Sequence, residues 1–102
     1  MGKEEAEIWQ EFKMGEVYVA TPALQGQPNK LVAVIGKNGS TLQLAFVDGL
    51  AVGKTKVYDG KEFAMIETSI GRYNIFAGVK AAAKEAAIVN EILKNQGKAV
   101  EG

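Results

Sequence analysis

Residues 31–47, LVAVIGKNGSTLQLAFV, form the most apolar stretch of the chain and carry a strong turn signal at their centre. Asn38-Gly39 is the dipeptide that a type I′ hairpin turn prefers, because both central residues of that turn need positive φ. A two-residue loop there sets Ile35 opposite Leu42, Ala33 opposite Leu44 and Leu31 opposite Phe46, all on one face. The other face holds Val34 with Gln43 and Val32 with Ala45. One face is wholly apolar and the other mostly so. A hairpin with one side in water alternates more cleanly, so this one calls for cover on both sides.

Around the hairpin the chain has 102 residues, enough for one domain with a modest core. Its 47% hydrophobic and 24% charged content is that of a soluble globular protein. The net charge is zero, so no global field draws the chain to nucleic acid or an anionic membrane. Cysteine and histidine are absent, which removes disulfides, thiolate chemistry, the commonest general base and the commonest metal ligand. No cofactor is implied. Residues 1–12 are acidic without an apolar signal core, and no run approaches the ~18 apolar residues of a membrane span. Cytoplasmic location follows by elimination.

Upstream, residues 3–13 (KEEAEIWQEFK) read as a short helix or arm, with Ile8, Trp9 and Phe12 on one narrow stripe. Residues 16–20 make a first strand, and residues 21–29, which hold both prolines, a long loop. Downstream, residues 54–58 and 62–68 form a second hairpin around Asp59-Gly60. A three-residue loop with a G1 bulge pairs Lys56 with Glu62 and Thr55 with Phe63, setting Thr55, Val57, Phe63 and Met65 on the core face. Residues 72–77 are a last strand. Residues 78–95 are rich in helix formers, with Val79, Ala82, Ala86, Val89 and Leu93 at 3-4-3-4 spacing. Residues 97–102 read as a flexible tail.

The resulting expectation is one α+β, mainly β domain. It is a small antiparallel SH3-like barrel or strongly bent sheet of 5–6 strands over residues 16–77, with a short N-terminal helix and a longer C-terminal one.

Residues 49–55, GLAVGKT, approach a phosphate-binding loop but are one residue short of it, and they run into a strand rather than a helix. Among the carboxylates of the barrel segment, Asp48 and Asp59 serve turns, and nothing pairs Glu62 with Glu67 as an acid–base couple. The chain therefore reads as non-enzymatic. Ile88 and Ile92 lie on the far side of the final helix, off its apolar stripe. With Ile8, Trp9 and Phe12 they mark a partner interface, and the leading expectation is a self-associating interaction module, a homodimer. Lys54, Lys56 and Tyr58 alternate along one strand with Arg72 and Tyr73 nearby. Residues 30–61 hold five lysines against two aspartates, whereas five of the twelve acids lie in residues 1–16. Aromatics among cations on a small barrel suit single-stranded nucleic acid, which is the second expectation. A small-molecule pocket between helix and sheet is the third.

Overall fold

The computed structural model describes residues 10–69 and 71–98. Six strands close into an antiparallel barrel: β1 (Val17–Pro22), β2 (Lys30–Asn38), β3 (Thr41–Phe46), β4 (Gly49–Tyr58), β5 (Lys61–Thr68) and β6 (Gly71–Lys80). Each strand pairs with the next, and β6 returns to β1, so no edge is left unpaired. One helix, α1 (Ala83–Asn95), follows. The mainly β expectation and the small barrel hold. Among the described residues the N-terminal helix does not appear: Gln10 forms a parallel bridge with Lys61. Residues 3–9 of that expected helix lie outside the described residues.

The central hairpin turns one residue later than its Asn-Gly pair suggests. Asn38 pairs with Thr41, leaving Gly39-Ser40 as the loop, with Gly39 at φ 63°. The register then slips between Val34 and Gly36, so that Val34 meets Leu44 and Ala33 meets Ala45. This overturns the expected pairs. A bulge inserts one residue into one strand only, and with a period of two it reassigns every side chain beyond it. Val32 and Val34 join Leu42, Leu44 and Phe46 inside the barrel. Leu31, Ala33 and Ile35 face outward with Ala45. Both faces are covered all the same, one by the barrel interior and the other by α1.

The second hairpin also differs. Asp59 and Gly60 have φ of 54° and 75°, a two-residue loop with both central residues left-handed. Tyr58 pairs with Lys61, Val57 with Glu62 and Lys56 with Phe63. The expected Lys56–Glu62 pair therefore does not form, and Phe63 and Met65 point outward while Ala64 and Ile66 fill the core. Glu62 points inward because it finds partners there.

Two boundaries move as well. Thr21 and Pro22 belong to β1, and residues 78–80 complete β6, so Val79 is a strand residue and not part of the helix stripe. Ala82 caps α1 in an extended conformation. At the other end Gly97, at φ 76°, lets its N–H bond to Lys94 O and Lys98 N–H to Leu93 O, a Schellman stop. Val89 and Leu93 of α1 pack on Val17, Ala33 and Ala45. The helix thus shields the β1–β3 side. Among the described residues no helix is long and apolar enough to cross a membrane.

One mouth of the barrel is plugged. Phe12 is 1% exposed, and its ring meets Tyr18 edge-on with centroids 5.0 Å apart. Its N–H donates to Glu62 Oε1 at 2.8 Å, and Lys37 Nζ donates to the same oxygen at 3.0 Å and to Phe12 O at 3.1 Å. Lys13 N–H donates to the Tyr18 hydroxyl at 2.9 Å. Burial pushes the Tyr18 phenol above its ordinary pKa, with the charges of Glu16, Glu62 and Glu11 acting in the same direction.

Removing one partner of a buried charged cluster strands the others. Glu62→Ala is expected to cost about 3 kcal/mol in chemical denaturation, and Glu62→Gln less, because the amide oxygen still accepts a hydrogen bond. Tyr18 has its folded pKa raised, so its contribution is complete below the unfolded value of roughly 10 and is lost as pH rises through the folded one. The alkaline fall in wild-type stability is therefore steeper than that of Tyr18→Phe, as denaturation at stepped pH would show.

Candidate functional site

Strand alternation builds one open face. Leu50, Val52, Lys54, Lys56 and Tyr58 of β4 point outward, since Ala51 and Gly53 point in. The register places Met65 beside Lys54, Phe63 beside Lys56 and Lys61 beside Tyr58. Phe76 then pairs with Phe63, and Asn74 with Met65. Because α1 lies over β1 and β2, nothing described covers this side. Tyr58 is 76% exposed, Met65 50% and Phe76 46%. The Phe63 and Phe76 rings sit 6.2 Å apart, tilted by 31°. Between them, Tyr58, Lys61, Val79 and Gln10 lies a groove of about 570 Å³. The Gln10 side chain lies over Gly78, in the space that a Cβ there would take.

The electrostatics of the face are one-sided. Lys54, Lys56 and Lys61 are exposed and make no ion pair among the described residues. Asp59 lies exposed in the turn between Tyr58 and Lys61, and the two carboxylates of β5 are engaged elsewhere. Glu62 is turned inward, and Glu67 binds Arg72 at 2.7 Å. An anion approaching this face meets three exposed ammonium groups and three aromatic rings.

Of the nucleic-acid residues expected from sequence, Lys54, Lys56 and Tyr58 are brought together. Arg72 shares the same sheet face but is neutralised by Glu67. Tyr73 is buried, its hydroxyl donating to Gln27 Oε1 at 3.2 Å, so it offers no stacking surface. Sequence reading missed Lys61, Phe63, Met65 and Phe76. The alternation of residues 73–77, with Tyr73, Ile75 and Ala77 inside, was the available signal for Phe76.

The expected interface residues separate. Phe12 is core, so it cannot serve as a surface contact. Ile88 is 56% exposed and Ile92 half-buried, while Ile8 and Trp9 lie outside the described residues. The expected ligand space between helix and sheet is filled by Val17, Ala33, Ala45, Val89 and Leu93. Beyond it, at the rim, lies a shallow groove of about 300 Å³ along Leu31, Phe46 and Val89. There Lys30 bonds to Asp48 at 2.7 Å, and that hydrogen bond holds the exposed Asp48 carboxyl below its ordinary pKa.

Residues 49–55 run inside β4, which excludes the phosphate-loop geometry. Gly53 is there for packing, since a Cβ would come within 2.7 Å of the buried Ile66 Cγ2. No three potential metal-binding side chains gather among the described residues. No protein-family model matches the chain, and comparisons with curated proteins and with solved structures find no match.

Proposed function

We propose that this small barrel, SH3-like in scale, is a non-enzymatic cytoplasmic binding module whose ligand is single-stranded nucleic acid. The observation that supports this reading is the convergence of Lys54, Lys56 and Lys61 with Tyr58, Phe63 and Phe76 on one uncovered sheet face. Bases stack on exposed rings whatever their identity, and lysines between the rings meet the backbone phosphates. The same face is poorly suited to pairing with itself, because two copies would set lysine against lysine. The absence of histidine and cysteine, and the structural engagement of Glu62, are consistent with a role in binding rather than catalysis.

With three cations engaged, the affinity for an oligothymidylate or oligouridylate should fall with salt at a log–log slope of about −2. Lys56→Ala should flatten that slope by about 0.7. Tyr58→Ala should instead cost about 1–3 kcal/mol at an unchanged slope, because it removes stacking and not charge. Absence of oligonucleotide binding at low salt ends this reading.

A second reading, homodimerisation through α1, is supported by the exposure of Ile88. It requires a dimeric mass in sedimentation that Ile88→Asp reduces to a monomer. A wild type that stays monomeric at high concentration removes it.

A further inference from the structure

The groove beside Phe63 and Phe76 carries a carboxamide on a mostly apolar wall. Gln10 is held there by its backbone: its N–H donates to Gly60 O at 3.2 Å, and its carbonyl accepts from Glu62 N–H at 2.9 Å. The parallel bridge sets it beside Lys61, at the edge of the outer face. Its side chain lies across Gly78, so the strand β6 is bare where the amide rests. Phe63, Phe76, Tyr58 and Val79 supply the apolar lining, and Lys61 stands at the same end. The Gln10 side-chain amide makes no hydrogen bond among the described residues.

A carboxamide offers a donor and an acceptor side by side. An apolar groove with such a group holds a flat heteroaromatic ligand by stacking on its face and hydrogen-bonding its edge. Adenine presents the matching pair, the N6 amino donor beside the N7 acceptor, and glutamine is a bidentate partner for it. Guanine presents two acceptors on that edge, and thymine one acceptor beside a methyl group, so neither completes both bonds. A groove of about 570 Å³ also has room for a purine, whose larger ring system stacks more strongly than a pyrimidine.

We propose that this groove is an adenine subsite. The base lies against Phe63 and Phe76, Gln10 Nε2 donates to N7, Gln10 Oε1 accepts from the N6 amino group, and Lys61 meets the attached phosphate. The inference rests on the function proposed above for the strand that carries the adenine. It adds base preference at one position to a face that is otherwise indifferent to sequence. Lys54 and Lys56, farther along β4, meet neighbouring phosphates, which position a strand without reading it.

The test is a titration of the full chain with short labelled oligothymidylates that differ at one central base. One adenine should tighten binding about fivefold over the all-thymine strand, and one guanine should not. Replacing that adenine by 7-deazaadenine, whose C–H takes the place of N7, should remove most of the gain with the protein unaltered. Gln10→Ala, which keeps both backbone hydrogen bonds, should bring the ratio of adenine to thymine affinity close to one. Gly78→Ala should do the same, because its methyl group takes the space in which the amide rests. Equal affinity for the adenine and thymine strands, or tightest binding of the guanine strand, overturns the subsite and leaves the nucleic-acid reading standing. An adenine preference that survives either 7-deazaadenine or Gln10→Ala overturns the assigned edge contact. If no oligonucleotide binds at low salt, the nucleic-acid reading fails, and adenosine monophosphate alone decides the subsite. A shift of the Gln10 side-chain amide resonances with adenosine monophosphate, and not with thymidine monophosphate, then upholds it; no shift overturns it.

Discussion

The carboxylate of Glu62 is the constraint on which the rest depends. It sits inside one mouth of the barrel, holding the Phe12 amide and the Lys37 ammonium at 2.8 and 3.0 Å. An uncompensated charge in that position would be costly. With two donors on one oxygen it becomes a clamp instead. It ties the segment ahead of β1 to β5 and to β2, strands far apart in sequence. It also decides which face of β5 is inside. With Glu62 turned in, Ala64 and Ile66 follow it, and Phe63 and Met65 must point out. The open aromatic face is thus a consequence of where one carboxylate is satisfied.

Interior and exterior are then divided by different partners. Six strands enclose little more than their own side chains, so the interior takes Val32, Val34, Leu42, Leu44, Ile66 and Ile75 and closes. The β1–β3 exterior is made of Ala33, Ala45 and Val17, small enough for α1 to approach through Val89 and Leu93. Among the described residues the β4–β6 exterior has no such cover. It mixes lysines with rings, and an apolar helix face packed there would desolvate the ammonium groups without pairing them, at a cost. Gly53 and Gly78 belong to the same design: one lets Ile66 pack against β4, the other admits Gln10 at the rim.

Much of the architecture was legible in the residues. The two-faced apolarity of residues 31–47, the Asp-Gly turn, the helix up to residue 95 and the Gly97 stop are local properties, set by turn chemistry, side-chain period and helix propensity. Half of the candidate site was legible too, because Lys54, Lys56 and Tyr58 alternate on a single strand. Phe63 and Phe76 were not, since their placement depends on pairing across strands. Nor was the burial of Phe12, which reads as a docking residue until Glu62 and Lys37 are seen around it.

The sequence by itself determined the class of fold, the chemistry that is absent, and the segregation of acids towards one end and lysines towards the barrel. These follow from composition and from patterns within about ten residues. Only the tertiary structure decided register, and with it the sidedness of every strand. A bulge at residue 35 and a two-residue loop at residues 59–60 each shift the pairing by one. In a period-two structure that single step separates core from surface. The central hairpin kept its need for cover on both faces while exchanging half of its face partners, because local sequence determines how apolar a strand is, whereas its pairing determines which way those residues point.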